Sequence, residues 1–303
     1  MGRVFDSSRR WSMKKILIDS NYLCHKAKVT TGTLSYEGKP TGIIYGFLNQ
    51  IITIAKITQA SESLFFWDSR KSKRREIYPE YKMKRRPDLT EWEQKDWEIA
   101  FSQFIQLRKR ILPRLGFNNN NLQSGYEADD LLARYVMDNS KDELVLASAD
   151  NDMLQLLGYC DMLNLSKNKL ITRQSFIDEY GIAPCQWGDV KQIAGCNSDN
   201  VAGIRGVGEK TALRFLKGTL SSKSKAYQSI KAGEEKIERN RALVVLPFKG
   251  TKTIKEKENN FKITEFIAVC NELGMTSFLT KNKKEEIKSL FIQNRRTAKW
   301  QRK

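Results

Sequence analysis

Residues 14–21 read KKILIDSN, three aliphatic residues held between two lysines and an aspartate. A continuous apolar run this short reads as a strand buried on both faces, and its acid, Asp19, falls at the carboxyl end. The pattern recurs twice. SLFFWDS (63–69) ends in Asp68, and DELVLASAD (142–150) ends in Asp150. Between the first two lies TGIIYGFLNQIITIAKITQ (41–59), apolar at helical spacing. Strands alternating with helices imply a mainly parallel α/β sheet, whose ligand crevice lies outside the carboxyl ends of the strands. Three strand ends each bring an aspartate to that edge.

The wider composition says what such an edge would meet. The 303 residues carry 53 Lys and Arg against 35 Asp and Glu, a net charge of +18. A field of that size favours a polyanion. The charge is clustered: residues 70–86, RKSKRREIYPEYKMKRR, hold nine basic residues against Glu76 and Glu80, and residues 281–303 hold nine against two. One histidine, His25, argues against a Ser-His-Asp triad or a His-rich metal site. Five scattered cysteines (24, 160, 185, 196 and 270) without CxxC spacing suit reduced thiols in a cytoplasmic compartment. Neither a secretory signal nor an apolar run long enough for a membrane span is visible.

Against so basic a background, grouped acids stand out. SGYEADDLLARYVMDN (124–139) reads as a helix capped by Ser124, with Glu127, Asp129 and Asp130 in its first turn. Taken alone, such acids suit the helix dipole, worth about 0.3–1 kcal/mol. Asp152 follows Asp150 at DxD spacing, and Asp199 lies in IAGCNSDNVAGIRGVGEKTA (193–212). The candidate ligands are therefore Asp19, Asp68, Glu127, Asp129, Asp130, Asp150, Asp152 and Asp199. Converging carboxylates raise each other's pKa and need counter-charge, and an all-oxygen set selects Mg²⁺ or Mn²⁺. Two such ions would activate water and stabilise the leaving oxygen of a phosphodiester.

GIRGVGEKTA (203–212) has the form of a helix-hairpin-helix turn. Gly206 and Gly208 let the backbone approach a phosphate, the next helix opens with donor N–H groups, and Lys210 adds charge. Before it, the chain from residue 171 reads as short helices, and after it as helix to about 245. A lysine-rich loop at 249–257 and two more helices follow, with no internal repeat.

In order and spacing, ILIDSN, FFWDSRKSKRREIYPEYKMKRR, GYEADDLLA, ASADNDMLQLL and GCNSDNVAGIRGVGEKTA resemble the 5′-nuclease (flap endonuclease) family, above all phage 5′→3′ exonucleases and the 5′-nuclease domain of bacterial DNA polymerase I. The resemblance implies a PIN-like three-layer α/β core over 13–170, including a helical arch at 70–115, after a basic arm at 1–12. It implies a helix-three-turn-helix DNA-binding lobe at 171–245, with a C-terminal helical segment and basic tail at 246–303. One metal would sit among Asp19, Asp68, Glu127, Asp129 and Asp130, and a second among Asp150, Asp152 and Asp199. Tyr81, Lys82 and Arg85 match arch residues that position the 5′ strand, Lys82 and Arg85 joining Asp19, Asp68 and Asp150 as the catalytic set. Lys191 matches a basic residue near the second metal. Gly203, Gly206, Val207, Gly208, Lys210 and Thr211 would grip duplex DNA, aided by K⁺. One departure stands out: where the family has GDxxDN this chain has GCNSDN, so Cys196 replaces an aspartate and weakens the second Mg²⁺ site.

The expectation is a monomeric, metal-dependent 5′ nuclease of DNA replication, in a host cytoplasm if phage-encoded. Its partners would be DNA flaps, nicks and free 5′ ends, RNA–DNA hybrids and replication proteins, and no membrane. Two other readings stay open: a catalytically impaired structure-specific DNA-binding protein, motivated by Cys196, and a PIN-type ribonuclease.

Overall fold

Asp19 both ends the first strand and starts the first helix. β1 (Lys15–Asp19) runs directly into α1 (Ser20–Thr31), and an Asp19 carboxylate oxygen accepts the Tyr22 N–H at 3.0 Å as the helix cap. The structure, a computed structural model, describes residues 14–83 and 89–293. A short hairpin, β2 (Ser35–Tyr36) and β3 (Lys39–Pro40), leads to α2 (Gly42–Thr58) and β4 (Glu62–Phe66). Next come α3 (Lys73–Ile77) and α4 (Glu91–Gln106), the latter continuing through a π-turn at Leu107–Ile111 into α5 (Leu112–Arg114). β5 (Asn120–Asn121), α6 (Ala128–Asp138) and β6 (Leu144–Ser148) follow. A 3-10 turn, Asn151–Leu156, precedes β7 (Asp161–Asn164) and β8 (Lys169–Ile171).

These strands form one six-stranded sheet, ordered β5-β4-β1-β6-β7-β8. All neighbours are parallel except β7 and β8. β1 lies inside the sheet and every one of its residues is buried, as its unbroken apolar run predicts. Alternation along the strands divides the core. Ile16, Ile18, Phe65, Trp67, Val145 and Ala147 face one cluster, with α1, α2 and α4. Leu17, Leu64, Phe66, Leu144 and Leu146 face the other, with α6. The result is a mainly parallel sheet between two helical layers, the expected α/β class.

The rest of the chain completes both layers. α7 (Arg173–Tyr180), α8 (Trp187–Ala194), the hairpin β9 (Gly195–Cys196) and β10 (Val201–Ala202), α9 (Glu209–Leu216), α10 (Lys225–Ala232) and α11 (Glu234–Val244) come next. Phe176, Trp187, Val190, Ile193, Ala212 and Ile230 join the α6 side, so this region shares a core with the sheet. α12 (Ile263–Glu272), a 3-10 turn at Thr276–Phe278 and α13 (Lys281–Lys288) cover the opposite face through Phe266, Phe278 and Ile287. Between α11 and α12, residues 245–262 pass the start of β4, where Asn259 donates to buried Glu62 at 2.8 Å and to the Ser63 carbonyl at 2.9 Å.

One local expectation is corrected. α6 starts at Ala128, and its cap is Glu127 rather than Ser124. Residues 123–126 first make a turn, closed by the Tyr126 N–H on the Gln123 carbonyl, which uses up the serine's place. Strands β5, β7 and β8 carry no apolar run long enough to read from sequence. Of the expected arch, α4 is seated on the body: Ala100, Gln103 and Phe104 are buried, and Gln103 accepts the Ile43 N–H at 3.1 Å. His25 packs its ring on Trp97 and Phe104, a structural role. No helix among the described residues is long and apolar enough to cross a membrane.

Candidate active site

Parallel pairing places Asp19 beside Phe66 and Ile18 beside Ala147, so β1, β4 and β6 all release the chain at one edge. Asp19 remains there, 8% exposed, and its second oxygen accepts the Ser148 hydroxyl at 3.0 Å. Asp68 lies two residues beyond β4 and accepts the N–H of Ala128 at 2.8 Å, drawing the first turn of α6, with Asp129, to the same place. Asp150 caps the 3-10 turn by accepting the Asp152 N–H at 2.8 Å, while its own N–H donates to Ser148 Oγ at 3.1 Å. Fully buried Ser148 thus donates to one acid and accepts from the backbone of another. Nothing in the sequence marked it beyond its place in ASAD.

The crowding has an electrostatic signature. Burial, then the neighbouring Asp68, pushes Asp19 up to about 7. Burial, then Asp150 and Asp19, holds Asp129 well above the carboxylate range. Asp152 is pushed up to about 6 by burial and Asp150, with Lys191 opposing. These oxygens repel one another, and a divalent cation would relieve all of them together. Asp19, Asp68, Asp129 and Asp150 offer oxygen alone, which fits a hard ion.

Asp130, expected among the ligands, is instead a structural anchor. It is fully buried and takes two guanidinium bonds from Arg74, at 2.6 and 2.7 Å. It also takes the N–H groups of Glu127 at 3.1 Å and Phe248 at 2.8 Å. Four donors fill the lone pairs a carboxylate has, leaving none for a metal. Arg74, one of the nine residues of the basic cluster, is 3% exposed and also donates to the Leu243 carbonyl at 2.8 Å.

Arg74 sits in α3, and the turn after it delivers Tyr81 and Lys82. Tyr81, expected on the DNA strand, is 2% exposed, with its hydroxyl 3.0 Å from Glu127 and 3.1 Å from Asp199. Lys82 Nζ donates to Glu127 at 2.8 Å, and its backbone N–H donates to the Asp199 carbonyl at 2.8 Å. Burial would raise Glu127, but Lys82 and Arg74 together hold it below its ordinary value. This turn therefore spans both ends of the acid set. Arg85 lies outside the described residues.

At the far end stand Asp152, Cys196 and Asp199. Lys191, 7% exposed, pairs with Asp152 at 3.3 Å and with Glu209 of α9 at 2.8 Å. Burial would lower its pKa, but those two acids outweigh it and raise it.

A family model described as "5'-3' exonuclease, N-terminal resolvase-like domain" matches residues 14–181, more than half of the chain. The chain belongs to the 5′-3′ exonuclease family. By that membership it is a nuclease. A 5'-3' exonuclease of Buchnera aphidicola subsp. Schizaphis graminum is 29% identical over 84% of this chain and 83% of its own length. The thermostable DNA polymerase I of Thermus thermophilus is 30% identical over 71% of this chain, which spans only 25% of that enzyme. A bacteriophage T5 flap endonuclease, solved as a pseudo-enzyme-product complex with DNA and metal ions, shares the fold with a TM-score of 0.64. Its identity is 22%, over 91% of this chain and 99% of that one.

In this 5′-3′ exonuclease-family chain the glycine turn divides into two kinds of residue. A Cβ on Gly203 would lie 2.1 Å from the Ala194 carbonyl, so that glycine serves close packing between α8 and the hairpin. Val207 is 5% exposed and its side chain belongs to the core, which leaves only its backbone to face DNA. Gly206, at φ +76°, and Gly208, which caps α9, have open space where a Cβ would be. Lys210 beside them is exposed and Thr211 half-buried.

Proposed function

We propose that this chain is a divalent-metal-dependent, structure-specific 5′ nuclease. It would hydrolyse phosphodiesters in DNA bearing a flap, nick or free 5′ end, and in RNA primers paired to DNA, leaving 5′-phosphate and 3′-hydroxyl. One observation carries the reading: acids from β1, β4, α6, β6 and the β9–β10 hairpin converge beneath a basic turn that touches both ends of the set. The metal-bearing, DNA-bound T5 relative supports it.

Asp19, Asp68, Asp129 and Asp150 would hold the first ion, and Asp152 and Asp199 the second. Bound there, divalent ions supply an activated water and neutralise the leaving oxygen. The chain's own residues prepare the site. Ser148 fixes Asp19 and Asp150 relative to each other. Glu127 holds the Lys82 ammonium at the edge of the set until a phosphate competes for it. Asp68 holds the start of α6 against the strand ends. Gly206, Gly208 and Lys210 would receive the duplex backbone without reading its sequence.

A 5′-labelled flap duplex incubated with Mg²⁺ should be cut near the junction; an intact flap with both Mg²⁺ and Mn²⁺ would end the enzyme reading. Two glycine variants separate the roles in the turn. Gly203→Ala should cost about 1–3 kcal/mol of stability through overpacking, measured by urea unfolding. Gly208→Ala should leave stability nearly unchanged yet weaken duplex binding roughly tenfold, the worth of one charge-assisted hydrogen bond. Equal duplex affinity in Gly208→Ala would remove the turn from the DNA interface.

A further inference from the structure

The two ends of the acid set differ in one atom. Around Asp19, Asp68 and Asp129 every available donor is oxygen, whereas Asp152, Cys196 and Asp199 place two carboxylates and a sulfur within 4.8 Å of one another. Cys196 Sγ lies 3.9 Å from Asp152 Oδ2, and the other Asp152 oxygen is the one paired with Lys191 at 3.3 Å. Bonds of about 2.3 Å to sulfur and 2.0 Å to oxygen, meeting near the tetrahedral angle, would put those atoms about 3.5 Å apart. For this pair a few tenths of an ångström of movement suffices. Cys196 is 7% exposed and sits on β9, paired to Val201 of β10, so its sulfur is mounted on ordered backbone. Two polar groups already address it: the Ser198 hydroxyl, 3.0 Å away, and the Asp199 N–H, which donates to it. Such groups orient a ligand sulfur, while burial and Asp152 push the metal-free thiol up to about 11, so a metal must displace its proton.

We propose that Asp152, Cys196 and Asp199 form a mixed thiolate–carboxylate site that takes a thiophilic divalent cation of the zinc class in preference to Mg²⁺. The inference rests on the nuclease reading for the presence of a metal at this end of the acid set. On coordination the metal–sulfur bond replaces the S–H bond and the proton leaves to solvent, with no change of oxidation state. One thiolate and two carboxylates, with Lys191 alongside Asp152, then surround a doubly charged ion. Thiolate selects zinc-like ions over Mg²⁺ because the hard ion gains little from sulfur and sheds its water reluctantly. The chain would thus hold a hard ion at one end of its acids and a softer one at the other.

Co²⁺ is the probe, since only sulfur ligation gives it an intense near-ultraviolet charge-transfer band. Chelator-treated full-length protein titrated with Co²⁺ should show this band at one equivalent. Stoichiometric Zn²⁺ should abolish it, while roughly a hundredfold excess of Mg²⁺ should not. The band should persist in Cys185→Ser, which removes the exposed thiol, and vanish in Cys196→Ser and Cys196→Asp. Cys196→Asp should also bind Mg²⁺ about tenfold more tightly by calorimetry. A wild-type protein that shows no band on Co²⁺ addition, or a band that survives Cys196→Ser, overturns the proposal. Failure of the nuclease reading would look different: the band would be present while flap DNA stayed uncut with Mg²⁺, Mn²⁺ or Zn²⁺.

Discussion

Asp19→Asn is expected to lower flap cleavage by about 10³-fold while making the metal-free protein more stable. The loss follows from removing one anionic donor at a buried corner of the acid set, where about 4 kcal/mol of transition-state stabilisation is at stake. The gain follows from burial and Asp68, which move the Asp19 carboxyl from 3.8 to about 7. A carboxyl raised on folding binds its proton more tightly in the native state, so the native state loses stability as pH climbs from 3.8 to about 7. Asparagine keeps an oxygen to cap α1 and carries no charge, so the variant's advantage, about 1–2 kcal/mol, should be full above pH 7 and absent below pH 4. Parallel urea titrations at the two pH values check the second half. A variant that cleaves normally would remove Asp19 from the chemistry.

Arg74→Leu is expected to cost about 3–5 kcal/mol, the largest stability loss of any single change discussed. Its guanidinium and Asp130 are almost wholly shut off from water and joined by two bonds, so leucine would strand a buried carboxylate. The same change removes the bond to Leu243 and the contact with the Phe248 ring, whose centroid lies 4.9 Å from the guanidinium carbon. Arg74→Lys should not rescue it, because an ammonium cannot make the paired contact. Removing both partners, as Arg74→Leu with Asp130→Leu, should restore most of the loss, because no charge is then left alone. Single and double variants of equal stability would show that the pair is not coupled.

The contrast between Asp129 and Asp130 shows where the sequence stops speaking. EADD announces an acidic helix start, but successive residues on a helix point about 100° apart, so one joins the site and the other meets Arg74. Nothing in the chain order links residue 130 to residue 74. The same limit hid Arg74 itself, whose neighbours in the basic cluster are mostly exposed. The sheet was easier. Buried parallel strands need unbroken apolar runs, and those of β1, β4 and β6 could be read together with the acids after them. β7 is short and polar at both ends, β8 has only three residues, and two-residue β5 is held by pairing to β4, a contact invisible in one dimension. Tyr81 was recognised as part of the site, but its side chain turned inward onto two carboxylates.

The helices that cover the α1 and α2 face set an order of events. Phe261, Phe266, Phe278 and Phe291 pack against strands made two hundred residues earlier. A ribosome therefore releases every candidate acid, Asp199 included, before the segment that closes that side of the sheet has been synthesised. The nascent chain must wait with one apolar face open, and that face is where a chaperone would find it. For a nuclease this delay carries a safeguard: a fully closed fold around the acids would arrive only after the helices beyond residue 262 have been made.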